Sequence, residues 1–276
     1  MGLRIATNVA SENVQMNLSQ VSQKSSENMA RLSSGKRINK AADDAAGLAI
    51  AKNLEAQTKG LRQATRNAND GISFVQTAEG GLNEVSNILT RLRELTIQAS
   101  SDTVGEAERG YLDMEYQQLV DEVDRISHTT TFNGTHLLNG EAGDTMDFHV
   151  GAQAGDVNRI QFDPSSANAQ ASELGIAGTG VKSKDGTQSS IEKIDGSIDK
   201  VNSYRAGLGA IQSRLQSTVS NLENQTMNQE AARSVIEDAD VAKETAELAS
   251  NNILQQAGIA TLAQANSLPN NALMLI

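Results

Sequence analysis

The chain has 276 residues and a net charge of −11, which argues against nucleic acid as a main partner. Only 3% of its residues are aromatic, so Ala, Leu, Ile and Val must fill the core, which favours helices packed against helices. It has no Cys, so disulfides and thiolate metal sites are excluded.

The N-terminal segment, residues 1–23, carries only two charges, Arg4 and Glu12. It has no apolar run long enough for a cleaved signal peptide, and no stretch of the chain approaches the ~18 apolar residues of a membrane span. Residues 1–60 carry eight Lys or Arg against five acids, and residues 221–276 carry two against seven. This contrast favours pairing of the two ends, although unrelated solvated faces would give it as well.

The longest element is predicted between Gly47 and Ala99, where apolar and small residues recur at spacings of three and four. Such a heptad pattern keeps one seam against partner helices. At ~1.5 Å per residue the helix would be roughly 80 Å long. Gly80 and Gly81 either weaken it locally or allow a partner to approach closely.

Two more amphipathic helices are predicted, at Leu112–Ile126 and Ile191–Leu222. Capping boxes at 103–106 and 189–192 would start them. Three helices with complementary seams predict a bundle.

The region between these two helices, residues 129–186, is rich in Gly and short alternating runs. The turn dipeptides Asn133-Gly134 and Asn139-Gly140 predict β-hairpins. Residues 165–188 read as a short polar tip that would tolerate an insertion.

The C-terminal segment, residues 251–276, has no charged side chain, and 14 of its 26 residues are Ala, Ile, Leu or Met. Soluble monomers seldom expose such a segment. We therefore expect it to become ordered when several copies bury it together. The apolar residues predicted to drive this polymerisation are Leu3, Ile5, Val9, Leu18, Val21, Ile253, Leu254, Ile259, Leu262, Leu273, Leu275 and Ile276.

The sequence RLSSGKRINKAADDAAGLAI at residues 31–50 resembles the N-terminal signature of bacterial flagellins. The resemblance covers about residues 1–165 and 188–276. It continues through NANDGIS at 67–73, QTAEGGLNE at 76–84, RLREL at 91–95, TFNG at 131–134, IEDAD at 236–240 and LMLI at 273–276.

This resemblance implies a mainly α fold: a long antiparallel helical bundle or coiled coil with a small β-hairpin region and termini paired as helices. Residues 1–43 and 236–276 would form the inner-tube domain of a filament. Residues 44–235 would form the outer-tube domain, with the tip at 165–188 in place of a large variable domain.

The resemblance also implies partners and a location. The chain would be a secreted homopolymer of the extracellular flagellum, exported by the flagellar type III apparatus. A chaperone would hold its C-terminal tail, and filament cap and hook-junction proteins would contact it. Arg91, Leu95 and Glu115 match the contact surface for the host Toll-like receptor for flagellin. The alternative for Leu95 is simple helix packing.

No reaction centre is predicted, so we expect no enzymatic activity, cofactor or metal. Asp43 and Asp44 occupy adjacent helical positions whose side chains do not converge, which favours a role at a helix start. His128, His136 and His149 lack metal-site spacing. The function predicted is therefore a filament subunit. A hook–filament junction protein and a soluble coiled-coil adaptor are the alternatives.

Overall fold

A computed structural model describes residues 7–141 and 145–273, and that part of the chain is mainly α-helical. The helices there are α1 (Val9–Ser34), α2 (Ala45–Ser100), α3 (Glu106–Thr129), α4 (Ala171–Leu174), α5 (Lys184–Glu237) and α6 (Val241–Leu273). Two antiparallel strand pairs accompany them: β1 (Thr131–Phe132) with β2 (Thr135–His136), and β3 (Met146–His149) with β4 (Arg159–Phe162). The predicted fold class, with long packed helices, small hairpins and paired termini, is confirmed.

The chain divides into two compact units. One, which we call the middle unit, comprises residues 57–227, and the other, the terminal unit, comprises the residues before and after it. Helices α2 and α5 contribute residues to both units. The boundaries at 43/44 and 235/236 implied by the resemblance stay a prediction.

The core of the middle unit follows the heptad seam of α2 as predicted. Buried residues recur on α2 every three or four positions: Ala68, Gly71, Val75, Ala78, Leu82, Val85, Leu89, Leu92, Thr96 and Ala99. The helix continues through Gly80 and Gly81 without a break. A Cβ added to Gly81 would lie 2.7 Å from Leu138 Cδ1 and from Thr130 Oγ1. Gly81 is therefore a point of close approach and not a weak point.

An aromatic cluster joins α2 to both hairpins of the middle unit. The Phe74 ring meets those of Phe132, Phe148 and Phe162 edge to face, with centroids 5.6, 5.7 and 5.4 Å away. These four are all the phenylalanines of the chain. Edge-to-face pairs add a favourable term to burial, so this cluster ties the short strands to the helices.

Both predicted capping boxes are wrong. Helix α3 begins at Glu106, but its N-cap is Gly105, without a side-chain cap. Helix α5 begins at Lys184, before the predicted box at 189–192. The hydroxyl of Ser183 accepts a hydrogen bond from Gly186 N at 3.2 Å, so Ser183 caps that helix instead.

The prediction of an exposed polar tip at 165–188 fails for much of the segment. Residues Ala167, Ala169, Ala171, Leu174, Ile176 and Val181 are buried in the core of the middle unit. Two carboxylates of α3 hold its backbone: Asp124 Oδ1 accepts from Ala171 N at 2.7 Å, and Asp113 Oδ1 accepts from Val181 N at 2.9 Å. We call residues 164–183 the closing segment, because they are part of the folded core and not a free loop.

In the terminal unit, the segment that follows α1 is joined by backbone and ionic contacts to the end of α5 and the segment before α6. Arg37 N donates to Glu237 O at 2.7 Å, and Ala239 N donates to Gly35 O at 3.0 Å. The buried carboxylate of Glu237 pairs with Lys36, and Arg233 lies 3.8 Å from it. These contacts fix the point at which α1 ends and α6 begins.

Candidate functional site

The two terminal helices, α1 and α6, lie antiparallel against each other in the terminal unit. Asn8 Nδ2 donates to Ala265 O at 2.9 Å, and Ser11 Oγ donates to Asn266 Oδ1 at 2.8 Å. Nearer the joint, Arg31 Nη1 lies 3.4 Å from Glu244 Oε1. The terminal pairing expected from the charge contrast between the two ends is therefore present.

The seam between these helices mixes Leu and Val side chains with small and polar ones. The covered residues of α6 follow a heptad, and those of α1 follow the matching spacing. On α6 they are Glu244, Leu248, Asn251, Gln255, Gly258, Leu262 and Ala265; on α1 they are Ser11, Val14, Leu18, Val21, Ser25 and Asn28. A Cβ on Gly258 would lie only 2.8 Å from Leu18 Cδ1, so the helices approach closely there.

Several other large apolar side chains face away from this seam. Ile253 is 67% exposed, Leu254 52% and Ile259 54% on α6, and Val9 is 53% exposed on α1. Met16 and Met29 are exposed on α1 as well. Ordinary amphipathic helices bury their large apolar side chains against their own partner. Here several of them are left on the outside, and exposed apolar faces of this kind favour further protein contacts.

The residues predicted to drive polymerisation therefore fall into two groups. Val9, Ile253, Leu254 and Ile259 lie on the outer faces, whereas Leu18, Val21 and Leu262 are half-buried in the seam. Leu3, Ile5, Leu275 and Ile276 lie outside the described residues, and so does the side chain of Leu273. Met29, which is also exposed on α1, was not among the predicted residues.

A wide groove runs beside the seam, with a volume of about 530 Å³. It carries no charged side chain. Its lining residues are Ser22, Ser25, Ser26, Met29, Ala30, Ser33 and Gln255. Small side chains let another chain approach the α1 backbone closely, and an uncharged lining suits an aliphatic neighbour.

The residues predicted to contact an innate receptor lie in the middle unit. Arg91 and Glu115 are both half exposed and form an ion pair at 2.8 Å across α2 and α3. The hydrogen bonds of Arg91 to Glu115 and then to Glu94 raise the pKa of its guanidinium. Leu95 is only 1% exposed because it packs in the core, so the packing alternative holds for this residue.

The remaining polar candidates have local structural roles. Asp44 Oδ1 accepts from Gly47 N at 2.8 Å and caps α2. The N–H groups of Lys40 and Asn39 bind the carboxylate of Asp43 and lower its pKa. His136 Nδ1 lies 2.8 Å from the carbonyl of His128. Within the described ranges, no three His, Asp or Glu side chains are grouped to hold a metal ion. None of the helices described has the length and hydropathy to cross a bilayer.

Comparisons with known proteins agree with this arrangement. Residues 5–142 match the family model for the bacterial flagellin N-terminal helical region, and residues 191–276 match that for the C-terminal helical region. The chain is 46% identical to a flagellin of Halalkalibacterium halodurans, with 90% of each chain covered. It is 38% identical to a flagellin of Bacillus subtilis, covering 99% of this chain and all of that one. The crystal structure of Bacillus cereus flagellin covers 61% of this chain and 94% of its own at 31% identity, with a TM-score of 0.51.

Proposed function

Because the chain belongs to the bacterial flagellin family, we infer that it is a structural subunit that polymerises through its paired termini into the flagellar filament. The observation that carries this function is the outward position of the large apolar side chains on α1 and α6. The role is structural and includes no chemical reaction.

The arrangement of the terminal helices accounts for assembly of many copies instead of a compact monomer. The seam buries polar groups beside its Leu and Val side chains, so the pair gains less hydrophobic stabilisation than a fully apolar seam would give. Ile253, Leu254 and Ile259 are each more than half exposed. Burying the rest of these three side chains would contribute roughly 2–5 kcal/mol per subunit.

The groove is lined mainly by α1 residues, whereas Ile253, Leu254 and Ile259 are exposed on α6, so the two are different surfaces of the same unit. A contact between unlike surfaces of identical copies is heterologous, and heterologous contacts extend into open helical polymers unless the rotation closes a ring. This geometry supports a filament more than a closed dimer.

Seeded polymerisation of three variants tests the function. The full chain, a chain lacking residues 251–276, and the triple variant Ile253→Gln, Leu254→Gln, Ile259→Gln are seeded in polymerising salt and viewed by negative-stain microscopy. Gln is a good helix former, so the triple variant keeps the helix and loses the apolar face. We expect long tubes from the full chain only.

A matched control is the double variant Asn252→Ala, Gln256→Ala, which changes exposed polar residues of the same stretch and should still polymerise. Discrete small oligomers from the full chain would contradict the filament function and favour a soluble coiled-coil adaptor. A count of only a few copies per isolated filament would favour a junction protein.

Further partners follow from the exposed tail. We propose that the chain is secreted through the flagellar type III apparatus, that an export chaperone covers the C-terminal tail, and that cap and hook-junction proteins contact it during assembly. The part of α6 from residue 251 onward carries no charge and exposes three aliphatic residues, so it needs such a cover before polymerisation. Calorimetric titration with the flagellar export chaperone tests this. Equal affinity for the full chain and the chain lacking residues 251–276 would contradict it.

Recognition of the monomer by the host Toll-like receptor for flagellin is also proposed, centred on Arg91 and Glu115. Both are exposed and adjacent, which supports a polar contact surface. A receptor reporter assay should respond to purified monomer, and Arg91→Ala should weaken the response. Arg125→Ala is the control, because Arg125 is an exposed arginine paired with Glu122 on α3. No response to the monomer itself would end the proposal.

A further inference from the structure

Two Asn-Gly dipeptides of the chain stand in opposite environments, although both were predicted as turns from the same sequence signal. Asn133 is exposed in the two-residue turn between β1 and β2, and Asn139 is only 2% exposed. Their side-chain amides also differ in hydrogen bonding. The two dipeptides therefore allow the reactivity of an Asn followed by Gly to be compared at an exposed and at a buried position of the same chain.

The amide of Asn139 is held by hydrogen bonds on both of its polar atoms. Its Nδ2 donates to Glu141 Oε2 at 2.7 Å, and its Oδ1 accepts from Glu141 N at 3.0 Å. The side chain must break both bonds before it can rotate, one of them to a charged carboxylate. Reaction at Asn139 therefore requires local opening of a buried site.

Asn133 has none of these restraints. Its side chain makes no hydrogen bond to the described residues, and neither does the backbone N–H of the following Gly134. Asn133 adopts a φ of 50° and Gly134 a φ of 81°, as a tight hairpin turn requires. Gly134 has no side chain, and nothing lies within 4 Å of the position that a Cβ would take, so no neighbouring group crowds its backbone.

We propose that Asn133 is a site of spontaneous deamidation and isoaspartate formation. The backbone nitrogen of Gly134 bonds to Cγ of Asn133, and the Cγ–Nδ2 bond breaks. The side-chain nitrogen leaves as ammonia and takes up the proton lost from Gly134. Water then opens the resulting cyclic imide at either carbonyl, giving aspartate or isoaspartate. Water is the only co-reactant, so the modification needs no enzyme.

The modification changes the hairpin in which it occurs. Isoaspartate adds a backbone carbon to the turn, and both products add a negative charge. Phe132 precedes this turn and pairs with Phe74, with ring centroids 5.6 Å apart. A longer turn shifts the pairing of Phe132 with Thr135, so the hairpin loses its fixed register. Subunits that persist outside the cell would accumulate this change with age.

Peptide mapping by mass spectrometry tests the proposal. The full-length chain is incubated at mildly alkaline pH in oxygen-18 water, which labels only the carboxylates formed during the incubation. A parallel sample in concentrated urea gives the rate for each dipeptide without the fold. We expect Asn133 to react in the folded chain within about threefold of its unfolded rate, and Asn139 to react about tenfold more slowly than its unfolded rate, because a hydrogen bond to a charged group must open first.

Equal protection of both residues by the fold would overturn the proposal, because the turn would then hold Asn133 away from its neighbour's nitrogen. The variant Asn133→Gln should abolish the labelled product at this turn, since Gln forms the corresponding imide far less readily. Amide hydrogen exchange over residues 130–137 should be faster in the isolated isoaspartate form than in the unmodified chain. Unchanged exchange would refute the loss of register.

Discussion

Ile259 offers a quantitative test of the assembly surface. In the single chain its side chain is 54% exposed, so polymerisation can bury about half of it. Full burial of such a side chain is worth about 1.5–3 kcal/mol, and half of that is about 0.8–1.6 kcal/mol. Ile259→Ser should therefore raise the critical concentration for polymerisation roughly 4- to 15-fold, at about 1.4 kcal/mol per tenfold change.

The assay is sedimentation of seeded filaments, with the subunit remaining in the supernatant taken as the critical concentration. Ile and Ser have similar helix propensities, so the helix itself should change little, which circular dichroism checks. Gln256→Ser is the control, because Gln256 is exposed nearby and removing it takes no large apolar group from the surface. An unchanged critical concentration for Ile259→Ser would refute the idea that this face is buried in the filament.

Three further predictions concern the middle unit. Leu89→Ala should lower the free energy of unfolding by about 2–5 kcal/mol in urea, because Leu89 is fully buried; a loss below about 1 kcal/mol would contradict its place in the core. Asp113→Ala should leave the N–H of Val181 without its acceptor, at a cost of about 1–3 kcal/mol, and limited proteolysis should then cut the closing segment faster than in the parent chain. Burial raises the pKa of Tyr116, so the stability from its neutral phenol is complete below the ordinary Tyr pKa of about 10 and is lost as pH rises through the higher folded value. Denaturation midpoints measured between about pH 9 and 11 should therefore fall less in Tyr116→Phe than in the parent chain.

The sequence predicted the long helices well because their signal is repeated many times. The seam from Gly47 to Ala99 offers a residue every three or four positions, and the buried residues of α2 keep that spacing. Capping depends on a single side chain, so a Ser or Thr three residues before a Glu is weak evidence. At α5 the cap is Ser183, which has no such Glu in the expected register.

The closing segment was misread because composition conceals its packing. Its buried residues include Ala167, Ala169 and Ala171, which are small enough to occur in any loop. The groups that hold it, Asp113 and Asp124, are far away on α3, and nothing in the local sequence points to them. Hydrogen bonds between a side chain and a backbone N–H group far away in the chain produce no repeating pattern in the sequence, so they cannot be predicted from residue spacing.

The sequence indicates which segment carries the proposed assembly surface, but it does not indicate which of its residues face outward. The uncharged tail marked α6 as the contact element, yet the sequence does not say which apolar residues face α1. The structure places Asn251 and Gln255 on that face together with Leu248 and Leu262, and it leaves Ile253 outside. The usual pattern of an amphipathic helix, with its large apolar residues facing the partner helix, would place Ile253 in the seam.

Because the seam between α1 and α6 is partly polar, the pairing of these two helices depends on burial by neighbouring copies and therefore on subunit concentration. Two helices whose seam mixes Ser, Asn and Gln with Leu and Val side chains separate more readily than a fully apolar pair, and burial in neighbouring copies stabilises the paired form. The melting temperature of this pair should therefore rise with subunit concentration, whereas that of the middle unit, with its own apolar core, should not. The chain therefore combines a middle unit whose stability does not depend on subunit concentration with a pair of terminal helices whose stability rises with it.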